Sequence, residues 1–212
     1  MTHRRRQDAH DGGSGYAALM SHAWSRSLVL LGLTFVLTAC APETAASFDP
    51  TGNCVTDGSA PGAYPQLESR VPAEYRDVPP DTLDSGRNCS ADTLGSLADQ
   101  GFDEIRFAGA TWSFGAERAV VLAVFTAPGL TTDAVAAFYA ESARAGNRTE
   151  VLSESNPTIA GRPARRLDAK TVERLQTVVV WPSSEPDIVN VVITNDLPDA
   201  RIQEAIEVFG DS

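Results

Sequence analysis

A single apolar run near the N-terminus decides how much of this chain can belong to a folded domain. Residues 27–38 read SLVLLGLTFVLT, and Arg26 precedes them. A helix needs about 20 residues to cross a bilayer, so this run is too short to span one. A secretory signal peptide carries an apolar stretch of this length behind a basic flank. We therefore predict that residues 1–39 form a signal peptide, and that its true start is Met20, which would give a compact signal.

The apolar run ends in Leu37-Thr38-Ala39-Cys40. This tetrapeptide resembles the lipobox of bacterial lipoproteins, in which the Cys sulfur receives a diacylglycerol and cleavage then leaves that Cys as the acylated N-terminus. The resemblance implies lipidation of Cys40, including palmitate-type chains, and a protein held on the cell membrane, facing outside the cytoplasm. Two or more acyl chains suit stable anchoring, because a single chain binds only marginally. The alternative is an ordinary signal peptide in which the Cys stands by chance.

Removal of residues 1–39 changes the composition of what remains. The removed part holds four Arg and two Asp, so the net charge of −11 for the whole chain becomes −13, from 13 basic and 26 acidic side chains. All three His and both Met leave with it. Binding to nucleic acid requires clustered Lys and Arg, so this acidic chain is not expected to bind it.

The loss of every His excludes most catalytic chemistry. Ser-His-Asp and Cys-His nucleophiles, His-containing zinc sites and His-ligated haem are all ruled out. What remains is a pair of carboxylates, a Ser-Lys dyad through Lys170, or an acidic metal site. The acidic residues near predicted turns and helix ends are better explained as solvated or capping groups: Asp81, Asp84, Asp103, Glu104, Asp196 and Asp199. We therefore predict no catalytic residue, no metal and no cofactor.

Cys54 and Cys89 are the two cysteines left after Cys40. An even number of cysteines in an oxidising compartment predicts a disulfide bond. Two buried free thiols are the alternative.

The composition along the chain predicts three regions after the signal peptide. Residues 40–65 are rich in Pro, Ala, Gly, Ser and Thr, which indicates a flexible tether. Residues 66–101 are predicted to form an irregular wrap that ends in a short helix, with Ser90 as its N-cap and Asp99 near its end. Residues 102–212 are predicted to form the α+β domain.

Apolar patterns and breakers predict the elements of that domain. Helices are expected over 132–145 and 198–209, and strands over 105–114, 119–125, 149–152, 162–169, 175–181 and 188–194. Short links between successive strands favour an antiparallel sheet. We predict an α+β fold with about five to six strands, covered on one face by the two helices, plus the short N-terminal helix.

This order resembles the PsbP-like fold, which photosystem accessory proteins share with mycobacterial LpqN-type lipoproteins. The resemblance covers about residues 102–210 and rests on the helix over 132–145, the segment IAGRPARRL at 159–167, and the closing helix over 198–209. It implies a non-catalytic binding or assembly module.

Four arginines form the most distinctive polar cluster of the predicted domain. Arg162 and Arg166 are expected on one face of their strand and Arg165 on the other, with Arg174 on the next strand. They could bind an anionic ligand or partner, or they could balance carboxylates on neighbouring strands.

Three aromatic residues could line a pocket between sheet and helices, namely Trp112, Tyr139 and Trp181. Packing within the core is the favoured interpretation for all three. The leading functional hypothesis is a lipid-anchored extracytoplasmic module that binds an envelope protein or a small ligand. The alternative is a hydrolase that uses two carboxylates on cell-envelope glycan.

Overall fold

The computed structural model describes residues 48–116, 118–172 and 174–209. The predicted signal peptide and Cys40 lie outside the described residues. In chain order the elements are β1 (Gly58–Ala60), α1 (Pro65–Glu68), β2 (Thr82–Asn88), α2 (Ala91–Leu94), α3 (Ser96–Asp99), β3 (Ile105–Ser113), β4 (Ala119–Thr126), α4 (Thr132–Ala145), β5 (Thr149–Ser155), β6 (Thr158–Ile159), β7 (Arg162–Pro163), β8 (Arg165–Thr171), β9 (Arg174–Pro182), β10 (Ile188–Asn195) and α5 (Asp199–Phe209). Within these ranges, no helix is both long and apolar enough to cross a bilayer.

Eight strands form one antiparallel sheet in the order β1-β2-β3-β4-β10-β9-β8-β5, and β6 pairs with β7 separately. The predicted α+β class and antiparallel sheet are confirmed, but the predicted count of five to six strands is wrong. The additional strands β1 and β2 come from segments predicted to be a tether and an irregular wrap. Strand β2 reads TLDSGRN, whose single apolar residue produces no strand pattern. It forms because it pairs in register with β3, with Ser85 opposite Ala108.

The two long helices lie on opposite faces of the sheet, which corrects the prediction that both cover one face. Val179 and Val192 belong to the core on the face that α5 covers, which we call the α5 face. Val178 and Val191 belong to the core on the face that α4 covers, the α4 face. The central strands are therefore apolar on both sides. Such strands are continuous apolar runs, and a continuous run does not reveal which helix covers which side.

The core on the α5 face contains both tryptophans of the described chain. Trp112 and Trp181 are 2% and 1% exposed. The Trp112 indole N–H donates to the carbonyl oxygen of Val78 at 2.9 Å. The Trp181 ring packs edge-on against Phe209 of α5, with 5.4 Å between ring centroids. Packing within the core is thus confirmed for these two residues.

The chain between α1 and β2 also lies on the α5 face. Leu67, Val71 and Tyr75 are buried in the same core as α5. Tyr75 is 0% exposed, and its hydroxyl donates to the carbonyl oxygen of Arg201 at 3.3 Å. This segment, which has little regular structure, therefore supplies part of the core.

The helix predicted from Ser90 to Asp99 is two separate turns, α2 and α3. Ser90 caps the first turn as predicted, because its side chain accepts a hydrogen bond from the Thr93 amide. Gly95 then takes a φ of +49°, a conformation that residues with a Cβ rarely adopt. The break lets Leu94 and Leu97 both face the α4 core.

Candidate functional site

The predicted disulfide bond is present between Cys54 and Cys89. The two residues are 35 positions apart, and their Cα atoms lie 6.0 Å apart. The bond joins the segment before β1 to the residue that follows β2. It therefore holds the first described residues at one end of the sheet, where β2 ends and β3 begins.

Arg87 on β2 also binds the segment before β1. Its side chain donates to the carbonyl oxygens of Gly52 at 2.6 Å and of Asp49 and Asn53 at 3.1 Å each. Its guanidinium also lies 5.7 Å from the centre of the Phe48 ring. Arg87 is only 4% exposed. Residues 48–60, which were predicted to belong to a flexible tether, therefore lie against the sheet and end in the edge strand β1.

Asp57 connects this segment to helix α2. Its carboxylate accepts hydrogen bonds from the amides of Cys89 and Ser90 and from the hydroxyls of Ser90 and Thr93, at 2.6–2.9 Å. Desolvation alone would raise the pKa of this carboxyl, but the hydrogen bonds outweigh it and lower the pKa to about 2. The ionised Asp57 carboxylate therefore serves to bind residues 89–93 to the segment before β1.

Arg166 lies on the α5 face within a network of carboxylates and hydroxyls. Its guanidinium bonds both carboxylate oxygens of Asp168 at 2.9–3.1 Å, and also Asp199 at 2.8 Å. Asp168 accepts further hydrogen bonds from Thr177 at 2.7 Å and from Ser153 at 3.0 Å. Desolvation would raise the pKa of Asp168, but these donors, Arg166 first, hold it below its ordinary value.

The other predicted arginines are also engaged by acceptors of the chain. Arg162 donates to the carbonyl oxygen of Ile206 at 3.2 Å, and Arg174 donates to Asp196 at 3.3 Å. Arg165 bonds Asp133 at 2.6 Å on the α4 side. Arg162 and Arg166 thus both contact α5, as their expected common face implies, whereas Arg165 contacts α4 and Arg174 contacts the end of β10.

Three of the acidic residues considered as catalytic candidates accept hydrogen bonds from the chain itself. Asp81 accepts from the Ser113 amide at 2.7 Å, Asp84 from the Ser59 hydroxyl at 2.9 Å, and Asp196 from the Leu175 amide at 2.8 Å. These are contacts that order turns and strand ends. In the part of the chain that the structure describes, no group of three His, Cys, Asp or Glu side chains could hold a metal ion.

A groove lies between α4 and the β8–β5 edge of the sheet, and we call it the α4 groove. Its volume is about 430 Å³. The floor is apolar and is built by Leu167, Val178 and Val180. On the helix, the groove is lined by Ala136, Ala137, Tyr139 and Ala140. The three alanines are small and leave the space open.

The rim of the α4 groove is charged but internally balanced. Arg165 pairs with Asp133, and Arg144 pairs with Glu154. The hydrogen bond from Arg165 lowers the pKa of Asp133, so this carboxyl is a poor proton donor near neutral pH. Burial raises the pKa of Tyr139, which keeps its phenol neutral. An apolar floor with a polar rim is the usual composition of a binding site.

Comparisons with known protein families and with curated proteins find no match for this chain.

The sequence did not identify the α4 groove, although Tyr139 was among the candidate pocket residues. The signal that was present is the run of alanines on α4, including Ala136, Ala137 and Ala140. Small residues on a helix leave space only if the partner surface does not fill it. The width of that space depends on how far β5 and β8 lie from the helix, which only the packing decides.

Proposed function

We propose that this protein is a lipid-anchored extracytoplasmic module that binds an envelope component through the α4 groove without transforming it. The anchor rests on Leu37-Thr38-Ala39-Cys40, and the PsbP-like resemblance agrees with a binding role. The observation that carries the binding role is the groove itself, because its floor is apolar while Asp133 and Glu154 on its rim are tied to arginines.

The anchor is tested by metabolic labelling with a clickable fatty acid in a bacterial host. The wild-type chain should become labelled and sediment with membranes. The Cys40→Ala variant should lose the label and leave the membrane fraction. Equal labelling of the two chains would contradict lipidation at Cys40.

Binding through the groove is tested with two bulky substitutions on the same helix. Ala137→Trp should fill the groove, because Ala137 lines it. Ser142→Trp is the matched control, since Ser142 is exposed and lies outside the lining. Envelope components that crosslink to the wild type and to S142W, but not to A137W, would support the proposal. A crosslinking pattern that A137W leaves unchanged would contradict it.

The carboxylate hydrolase remains the alternative, because Asp133, Glu141 and Glu154 all line the groove. A glycosidase acid requires a raised pKa, whereas the pKa of Asp133 is lowered. Incubation of isolated envelope glycan with the wild type, E141Q and E154Q distinguishes the two functions. Release of soluble sugar that either substitution abolishes would overturn the non-catalytic assignment.

A further inference from the structure

A second concave surface lies beside the point at which the described chain begins. We call it the α1 cleft, and its volume is about 540 Å³. It opens between α1 and the end of the sheet where β3 and β10 begin and β4 ends. Its lining combines aromatic and aliphatic surface with two guanidinium groups: Tyr64, Leu67, Arg70, Arg106, Thr126 and Ile188.

Both arginines of the α1 cleft form ion pairs with partly exposed carboxylates. Arg106 lies 5.3 Å from the centre of the Tyr64 ring and bonds Glu104 at 2.7 Å. Arg70 bonds Glu185 at 2.6 Å, and the two side chains are 21% and 55% exposed. Ion pairs of this exposure contribute about 0–1 kcal/mol, so a phosphate can displace the glutamate. A guanidinium binds phosphate oxygens in bidentate geometry, which makes Arg the side chain suited to phosphate groups.

The position of the α1 cleft relative to Cys40 is limited by chain length. The Tyr64 hydroxyl donates to the carbonyl oxygen of Pro50 at 3.3 Å, and the Tyr64 ring packs edge-on against Phe48. The cleft therefore adjoins residues 48–60, the segment that lies against the sheet. Eight residue steps separate Cys40 from Phe48, and they can span at most about 29 Å. An acylated Cys40 would keep Phe48, which lies beside the cleft, within that reach of the bilayer surface.

From these observations we propose that the α1 cleft binds the phosphate of an anionic phospholipid in the membrane that holds the anchor. This inference rests on the proposed lipid anchor. The chain after residue 39 carries a net charge of −13, so an anionic bilayer repels the domain as a whole. Attraction must therefore be local, through Arg70 and Arg106.

The test uses the acylated protein, purified from membranes and reconstituted into lipid nanodiscs. One set contains phosphatidylcholine alone, and the other contains an equimolar mixture with phosphatidylglycerol. Hydrogen exchange of the peptides over residues 62–70 and 104–107 should slow about tenfold in the anionic nanodiscs. Equal exchange in the two sets would overturn the proposal.

Three variants separate the cleft from general charge effects. R70Q/R106Q should abolish the slowing. R118Q/R148Q, which removes two exposed arginines at the opposite end of the sheet, should retain it. R70K/R106K keeps the charge but not the bidentate geometry, and should show an intermediate effect. If R118Q/R148Q lost the slowing as fully as R70Q/R106Q, the cleft would not be the site.

Two further arms identify the source of the phosphate and the cause of a failure. Inorganic phosphate added to phosphatidylcholine nanodiscs should produce no slowing, and slowing there would overturn the lipid assignment in favour of a soluble phosphate. Fatty-acid labelling of the same preparation reports the anchor separately. A labelled protein that ignores phosphatidylglycerol contradicts only this inference, whereas an unlabelled protein contradicts the proposed function.

Discussion

Single polar residues determine how the chain before β1 attaches to the sheet. Arg87 is buried on a strand whose only large apolar side chain is Leu83, and it bonds three carbonyl oxygens of residues 49–53. A buried charge is tolerated only when hydrogen bonds replace its hydration. Here carbonyl oxygens of another segment accept hydrogen bonds from both terminal nitrogens of the guanidinium, so the arginine and the segment order each other.

Replacing Arg87 with Met should release that segment while the disulfide still holds Cys54. Hydrogen bonds to a charged group contribute about 1.5–3 kcal/mol, so R87M should lower the free energy of unfolding by about 2 kcal/mol. Limited proteolysis should cut residues 48–53 faster than in the wild type. Arg148→Met, at an exposed arginine, is the control and should change neither quantity. Unchanged cleavage in R87M would contradict the docking role.

Asp57 should make the stability of the protein depend on acid pH. Its pKa is lowered to about 2 in the folded chain, below its ordinary value of 3.8. The ionised carboxylate therefore stabilises the fold fully above about pH 4, and this contribution is lost as the pH falls toward 2.

The variant D57N keeps an oxygen acceptor but not the charge. At pH 7 it should unfold more easily by about 1–2 kcal/mol, because it loses charge-assisted hydrogen bonds and a cap. Denaturant unfolding between pH 7 and pH 2 should show this difference shrinking at the acid end. D103N, at an exposed carboxylate, is the control. A difference that stays constant across this range would contradict the role of the Asp57 charge.

At the scale of elements, the disulfide bond joins the segment before β1 to the end of β2. A crosslink that closes a loop of 35 residues stabilises the folded state by about 4 kcal/mol in the chain-entropy model. The double variant C54S/C89S should therefore unfold at lower denaturant concentration. The loss of unfolding free energy should be smaller than that value, because Arg87 still binds the segment before β1 in the double variant. A transition midpoint equal to that of the wild type would show that the bond contributes nothing.

Helix α5 is held on its face of the sheet mainly by large apolar side chains. Phe209 is 2% exposed and packs against Trp181, so Phe209→Ala should cost about 3 kcal/mol. Trp112 and Trp181 are the only tryptophans after residue 39, so intrinsic fluorescence reports the change directly. Val208→Ala is the matched control, because Val208 is 40% exposed on the same turn. Similar losses of unfolding free energy in the two variants would contradict this role of Phe209 in holding α5 on the sheet.

At the scale of the whole molecule, the sheet has a protected centre and two different edges. Strands β4, β10 and β9 are buried on both faces, whereas β5 is an edge strand with mostly exposed side chains. Amides of β4 and β10 should exchange hydrogen only through global unfolding, and the outward amides of β5 should exchange fastest among the strands. Native-state exchange followed by mass spectrometry measures both. Equal protection of β5 and β10 would mean that another surface covers the β5 edge.

The sequence by itself determined much of the local structure. Helix α4, the Ser90 cap and strands β4, β9 and β10 follow from periodicity and capping, which act between residues close in the chain. The pairing of Cys54 with Cys89 follows from their even number. The described residues contain no His, so they cannot by themselves form a Ser-His-Asp or Cys-His site.

Only the tertiary structure decided which surfaces meet. A continuous apolar run such as β4 is compatible with helices on one face or on both, so the placement of α4 opposite α5 required the packed chain. Strands β1 and β2 carry little apolar pattern; β2 forms because β3 supplies its hydrogen-bond partners, and β1 forms because β2 supplies them in turn. The carboxylate partners of Arg165 and Arg166 include residues more than thirty positions away, Asp133 and Asp199. Local pattern records a residue's own preference, whereas grooves and ion pairs depend on distances between segments that the fold alone brings together.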